Sequence, residues 1–403
     1  MSRNEGATIE LHEWTQVRDS LRAKDLRQAG YTQGAVVMAD CLLDLHGPNH
    51  RERRRLENRL FRREVFSHWE HEVLGSTVKA TLGPFVEAGR GDLAQIGYRS
   101  AMNLTATIAG IDHDPTDGAA TEYLYGIVKK FSEGATIMHS TRDKQDVMAE
   151  VKDAMRRFEF EVYEPSRQRR QELVARCDRG KLDEAELPKD VLTTLLRNQD
   201  RLDLPPDVMM REICFYLQAG AHSTANAFTH TVDDLLAWGA EHPEGLELAR
   251  SNLAFVQRGV HESLRLNPAS PVAYRSPVAD VTLSDGTELP AGALVILDLT
   301  SANRDITRFG TDANRYNPHR EIKDGVPRWG MSFGAGTHAC IGAELDGGLE
   351  IDPNRTDDEQ LYGTVAVMAH AFLQAGGRQD PEDLPELDPS STRKHYGRYP
   401  VVF

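Results

Sequence analysis

No stretch of the sequence is apolar for the roughly 20 residues that a membrane-spanning helix needs, so no such span is expected. Residues 1–14 lack a basic region followed by an apolar one, so no secretory leader is expected either. Cysteine is scarce: four residues, at 41, 177, 214 and 340, with no Cys-x-x-Cys pair among them. That argues against a disulfide framework or a zinc site and fits a reducing cytoplasm. Positive charge is in deficit, with 47 Lys and Arg against 62 Asp and Glu and a formal net charge of −15, which disfavours the whole molecule as a nucleic-acid binder. Internal repeats and long low-complexity tracts are also absent, which leaves no repeat architecture to consider.

What is present is ordinary globular material, 40% hydrophobic and 27% charged, with ample residues for a core. Helical periodicity predicts helices over about 12–24, 49–62, 64–88, 91–110, 118–134, 143–178, 206–240 and 245–266. After Pro268 the pattern changes. Residues 272–299 alternate and carry the turn signals Ser284-Asp285-Gly286 and Pro290-Ala291-Gly292, so short strands are expected there. Residues 304–342 read as a structured loop whose aromatics (Phe309, Tyr316, Trp329, Phe333) favour a functional role. A polar insertion at about 347–358 precedes a helix at about 359–375 and a strand-like end at 399–403. The fold class is therefore mainly α with a smaller β portion, as a single domain over residues 1–403.

The most informative segment is Phe333-Gly334-Ala335-Gly336-Thr337-His338-Ala339-Cys340-Ile341-Gly342. Glycines before and after the cysteine let the backbone approach a flat cofactor. Backbone N–H groups and the positive end of a following helix would stabilise a thiolate there. For Cys177 or Cys214 a small core residue is the better reading. For Cys340 it is not, because Phe, three Gly, His and Cys all fall at set offsets.

This segment resembles, at every fixed position, the ligand loop Phe-x-x-Gly-x-His-x-Cys-x-Gly of the cytochrome P450 family, and the chain is identified as a member of the soluble bacterial type. The resemblance covers roughly residues 35–403. It implies a cytochrome P450-like fold, haem b (iron protoporphyrin IX) as cofactor, Cys340 as the axial iron ligand and His338 as a donor to a haem propionate. Phe333, Gly334 and Gly342 belong to the same cradle. In this family the thiolate pushes electron density onto the iron and favours O–O cleavage.

Other segments fall in the family's order. Glu262 and Arg265 lie 340 − 262 = 78 positions before the cysteine, where the family has a buried Glu-x-x-Arg, and Asn317-Pro318-His319-Arg320 resembles the source of a third member, Arg320. A buried carboxylate between two guanidiniums is satisfied only as a complete set; its implied role is to hold the cysteine loop. His50 and Arg54, four apart on one helix face, and Arg275 correspond to residues that bind haem propionates in the family. Arginines at 51, 53, 54, 55, 59, 62 and 63 make a basic run with Leu56, Leu60 and Phe61 at helical spacing. Docking of an acidic ferredoxin or flavodoxin-type donor is ranked above a nucleic-acid patch, with Arg53, Arg59 and Arg62 expected on the exposed side.

The family's oxygen-activating helix reads Ala/Gly-Gly-x-Asp/Glu-Thr. Here Ala219-Gly220-Ala221-His222-Ser223-Thr224 keeps the small-residue step, expected to leave room for a ligand, and replaces the acid by His222 and the threonine by Ser223. His222, Ser223 and Thr224 are the candidate proton-relay residues, with His222 titrating near its ordinary value. A histidine merely hydrogen-bonded in a helix groove is the equal alternative. Candidate substrate-pocket residues are Val36, Val37, Met38, Phe215, Ala219, Val272, Ala273 and Tyr274. Before the His50 helix the chain reads as short for the family, without the opening helix and part of the first strands.

Three functions follow from the resemblance. The first is a cytoplasmic monooxygenase that oxidises a mostly apolar small molecule (a terpenoid, steroid, aromatic or other secondary metabolite), with electrons from a separate donor and its reductase. The second is a peroxide-driven or unconventional haem-thiolate enzyme (coupling, nitration, desaturation), kept in view by His222-Ser223. The third, ranked last, is a non-catalytic haem-binding sensor.

Overall fold

The computed structural model describes residues 6–352, 354–356 and 359–403. The chain falls into two compact units: residues 1–30, 226–384 and 399–403 form the first, and 31–225 with 385–398 the second. The chain passes repeatedly between the two.

The first unit holds a four-stranded sheet in the order Thr8–Leu11, Leu294–Asp298, Val272–Pro277, Leu26–Gln28. The outer pair Thr8↔Leu294 to Leu11↔Leu297 is parallel and the other two pairings are antiparallel. Trp14, Val17 and Leu21 recur at helical spacing on Trp14–Arg22 and pack with Leu26, Val295, Leu297 and Phe309 into one apolar cluster. A helix, expected over about 12–24, and two short strands thus precede the His50 helix. Strands of three and four residues carry too little alternation to be read locally, and their partners lie far along the chain.

The expected 245–266 helix is two helices, Pro243–Ser251 and Leu253–Leu266. Asn252 breaks it: its backbone is extended and its side chain accepts the Phe255 N–H at 2.9 Å, an N-cap in mid-pattern. The Leu253–Leu266 helix packs on Thr364–Gln374, and Pro400–Val402 pairs antiparallel with Arg378–Gln379.

The second unit is helical. Residues 63–87 and 144–178 run as long helices with a π-turn at Trp69–Leu74 and Glu159–Tyr163. Leu93–Ala109 and Gly118–Ala135 are capped by Asp92 and Asp117. The longest helix, Pro206–Glu241, begins in this unit and ends in the first. Among the described residues no helix is long and apolar enough to cross a membrane.

Candidate functional site

The cysteine loop is shaped by two glycines in the left-handed region, Gly334 at φ +67° and Gly336 at φ +69°. A side chain at 336 would meet the Leu21 carbonyl oxygen at 2.7 Å and the Arg22 Cα at 2.8 Å, so this glycine lets the loop pack on the end of the Trp14–Arg22 helix. Gly342 differs: nothing lies within 4 Å of its absent Cβ, so no protein atom demands a glycine there. The loop closes with the Cys340 N–H donating to the Phe333 carbonyl at 2.8 Å.

Cys340 is the one exposed cysteine among the described residues. Cys41 and Cys214 are buried, and burial pushes both thiols up, so they stay protonated. The helix that follows Cys340 is only Ala343–Gly347 and carries Glu344 and Asp346 in its first turn. The helix-dipole support expected for a thiolate is correspondingly small, and the loop's own N–H groups must supply it.

Behind this loop the structure brings Glu262, Arg265 and Arg320 together. Arg265 forks onto the Glu262 carboxylate (Nε–Oε2 2.8 Å, Nη2–Oε1 2.6 Å), and Arg320 Nε reaches Oε1 at 2.9 Å. The Asn317 N–H adds a bond to Oε1 at 3.1 Å, and Arg320 Nη1 holds Asp312 at 2.6 Å. All three triad members are buried. Such a set is satisfied because every charge has a partner and every spare donor a carbonyl: Arg265 Nη1 donates to Asn303 O and Ala313 O at 2.8 and 2.7 Å.

Asn303 is a residue that sequence reasoning missed. Its amide donates to the Arg265 carbonyl and Ser332 Oγ, both at 3.0 Å, and its oxygen accepts the Met331 N–H at 2.6 Å. It thus ties the triad to the residues just before Phe333. A lone Asn in a loop gives no sequence signal, and only the tertiary contacts mark it.

Arg275 is buried on the Val272–Pro277 strand, donating to the Gln28 side chain and to Tyr274 O. Val272, Ala273 and Tyr274 of that strand are all half-buried, and Ala273 packs against the apolar cluster.

In the second unit, His50 is buried, and desolvation with the Arg54 charge beside it lowers its pKa to about 4, so the ring is neutral. Arg54 Nε donates to Asn58 at 2.8 Å. The helix is Gly47–Glu57, shorter than the expected 49–62. Arg59 and Arg62 are exposed as expected, but Arg53 is not: it is buried and its Nη1 holds Glu212 at 2.9 Å. The inward face includes positions 50, 53 and 57, so a charged residue there turned in towards a buried acid on another helix. Val37 and Met38 have no exposed surface for a ligand to touch, and Phe215 is buried, while Val36 and Ala219 are half-buried.

The oxygen-helix segment departs most from expectation. A Cβ on Gly220 would lie 2.6 Å from Thr105 Oγ1 and 2.7 Å from its Cγ2. Gly220 therefore serves a close helix crossing and leaves no room for a ligand at its own position. We predict that Gly220→Ala destabilises the protein by about 1–3 kcal/mol, the usual result of overpacking. Thr105→Ala in the same chain should recover most of the loss in a thermal melt; independent, additive losses would contradict the clash.

Ser223 Oγ donates to the Ala219 carbonyl at 2.5 Å, a bond to its own helix, and Thr224 is buried. His222 packs edge-on between Tyr98 (6.3 Å) and His395 (5.2 Å). Desolvation, with the Arg393 charge added, lowers its pKa to about 3. Titration near the ordinary value of about 6.5 is thus overturned. Because the folded value lies below the unfolded one, the stability term is complete above about pH 6.5 and is lost as pH falls towards the folded value. We expect His222→Phe to remove that part of the acid sensitivity, and histidine-selective NMR to show no titration of His222 around neutrality. A shift change centred near pH 6.5 would refute this.

A sequence profile described as Cytochrome P450 matches residues 246–345, the stretch holding Glu262, Arg265, Arg320 and the Cys340 loop. "Cytochrome P450 monooxygenase PikC" of Streptomyces venezuelae is 32% identical over 160 residues, 39% of this chain and 36% of that protein. "Vitamin D(3) 25-hydroxylase" of Pseudonocardia autotrophica is 32% identical over 162 residues, 39% of this chain and 38% of that protein. The chain thus matches little more than a third of the length of these curated relatives. Among solved structures, CalO2 superposes with a TM-score of 0.74 at 20% identity, covering 98% of this chain and 90% of that one. "The cytochrome P450 enzyme CxnD for C-S bond formation in chuangxinmycin biosynthesis" gives 0.71 at 20% identity, covering 97% and 87%.

The chain has the cytochrome P450 fold, and its residues 246–345 carry the family's sequence pattern.

Likeness to cytochrome P450 structures reaches 98% of the chain, so it begins well before residue 35, where the sequence resemblance starts. The cofactor of a cytochrome P450 is haem, iron protoporphyrin IX. The donor set fits it: an exposed cysteine on a glycine-shaped loop, a half-buried His338 beside it and a buried Arg275 in the same unit. Among the described residues no cluster of three or more His, Cys, Asp or Glu offers an alternative metal site.

Proposed function

We propose that the chain is a cytochrome P450 monooxygenase that inserts one oxygen atom from dioxygen into a mostly apolar small organic molecule, in the cytoplasm, with electrons from a ferredoxin or flavodoxin-type donor and its reductase. The observation that carries this reading is the exposed Cys340 on a loop braced, through Asn303, by the buried Glu262–Arg265–Arg320 triad. Cys340 would hold the haem iron through its thiolate, and Arg275, His338, His50 and Arg54 would bind the propionates, as the resemblance implies. Phe333, Gly334 and Gly342 form the cradle. When bound, the haem supplies the dioxygen chemistry. The chain's own residues position the thiolate, exclude water and manage protons.

Ser223 must leave the Ala219 carbonyl to hand a proton onwards, and neutral His222 passes a proton only by accepting another. Of the candidate pocket residues, Val36, Phe215, Ala219, Val272 and Tyr274 have apolar or aromatic surface suited to an apolar substrate, as ligand sites generally are.

A second reading, a peroxide-driven or unconventional oxidation, is favoured by one observation: position 222 carries a neutral imidazole where the family has an acid. Haem-loaded protein assayed with surrogate ferredoxin and reductase, and separately with hydrogen peroxide, separates the two. Coupled turnover only with the donor supports the first reading; turnover only with peroxide supports the second.

Arg59 and Arg62 are proposed to steer an acidic donor. Surface steering weakens as the Debye length falls from about 10 Å at 0.1 M salt to roughly 3 Å at 1 M. Arg59→Glu with Arg62→Glu should slow electron transfer several-fold at low salt and leave substrate-induced spectral shifts unaltered. Electron transfer independent of both salt and charge would remove this assignment.

A further inference from the structure

The helix that follows Cys340 stops after five residues, and the chain makes an excursion over residues 348–363 before the Thr364–Gln374 helix begins. A helix that ends leaves its last carbonyls without partners. Here the Gly347 carbonyl, with the Leu349 and Leu361 carbonyls of the excursion, meets side chains of the neighbouring Leu253–Leu266 helix. Gln257 Nε2 lies 3.1 Å from Gly347 O, 2.8 Å from Leu349 O and 3.4 Å from Leu361 O. One turn on, His261 Nε2 meets Gly347 O at 2.7 Å; burial lowers its pKa to about 4, so the ring is neutral.

The two ends of the excursion also bind each other, Leu349 N to Leu361 O at 2.7 Å, with Gln360 Nε2 reaching the same two residues' carbonyls at 3.0 and 3.1 Å. Gly348 and Gly363, both at positive φ, face each other so closely that a Cβ on either would lie 2.4 Å from the opposing backbone. The insertion thus leaves and returns at a buried neck centred on the Gln257 carboxamide.

That neck touches the cysteine loop through Trp329 and Phe333, which lie 3.0 and 3.3 Å from the position of a Cβ on Gly347. The Trp329 ring packs edge-on against His261 at 5.2 Å and Phe333 at 5.1 Å. The Phe333 carbonyl in turn holds the Cys340 N–H. We infer that Gln257 is a positioning residue for the Cys340 thiolate: it staples both ends of the insertion to the helix that carries Glu262 and Arg265, and so keeps the excursion from displacing Trp329, Phe333 and the loop. This role rests on the reading that Cys340 supplies the axial thiolate.

The test uses the full chain loaded with haem. Gln257→Met keeps the length of the side chain and removes its donors, so the Gly347, Leu349 and Leu361 carbonyls lose the contact that ties them together and keep only His261, Gln360 and the Leu349 N–H. The reduced carbon monoxide adduct of the variant should lose its red-shifted, thiolate-type Soret band several-fold faster than wild type, the size of effect expected from the net loss of buried hydrogen bonds, and its reduction potential should rise. A second pair covers the case in which Gln257→Met does not fold. In a chain with residues 349–362 removed, so that Gly348 joins Gly363, two of the three carbonyls are gone. Adding Gln257→Met there should alter the band several-fold less. Identical spectra and potentials for wild type and Gln257→Met overturn the positioning role, as does an equally large effect in the shortened chain. A wild-type protein without the thiolate-type band overturns the Cys340 reading itself, and the role falls with it.

Discussion

Cys340→Ser is expected to abolish the thiolate-type band of the reduced carbon monoxide adduct and to lower turnover by roughly 10³-fold or more, about 4 kcal/mol of barrier at 1.36 kcal/mol per decade. A serine hydroxyl cannot replace the thiolate that would hold the haem iron, so the electron push that such a thiolate supplies would be lost. The fold should survive. Cys340 is exposed, and the loop closes through its backbone N–H to Phe333, which serine retains. Cys41→Ser and Cys214→Ser are the controls: both thiols are buried and held protonated, so both variants should keep the band. A variant lacking Cys340 that keeps the band would overturn the proposed function.

The second large effect is expected at Glu262. Its carboxylate takes two bonds from Arg265 and one each from Arg320 and the Asn317 N–H, with all three side chains buried. Glu262→Gln leaves two guanidiniums facing a neutral amide in a site that water does not reach. Breaking a buried ion pair by removing one partner costs about 3–5 kcal/mol, because the remaining charge is uncompensated. We expect that loss in urea or thermal unfolding of the haem-loaded protein. Faster haem release should accompany it, since Asn303 connects Arg265 to Met331 and Ser332 at the root of the cysteine loop. Asp153→Asn is the contrast: its bridge to Arg156 is exposed on both sides, and such pairs contribute little. Equal unfolding midpoints for wild type and Glu262→Gln would mean that the triad is not what braces the loop.

Long helices were legible from sequence because a 3.6-residue apolar period repeats about five times or more over 18 or more residues. The 206–240 and 118–134 predictions match Pro206–Glu241 and Gly118–Ala135 closely for that reason. The strands Thr8–Leu11 and Leu26–Gln28 were not legible: three or four residues hold barely two periods, and their partner strands lie more than 240 residues away. Charge direction was also hidden. Arg53 and Arg59 are the same residue type on one basic run, yet one is buried against Glu212 and the other faces solvent.

By itself, then, the sequence determined the helical class, the cysteine loop with its glycine spacing and the order of Glu262, Arg265, Arg320 and Cys340, because each is written in local spacing. Only the tertiary structure decided that Gly220 answers to Thr105, that His222 is neutral between Tyr98 and His395, and that Asn303 and Gln257 carry the connections behind the loop. Those outcomes depend on which groups meet across large sequence separations and on how much water burial removes, and neither quantity is a property of any short stretch of chain.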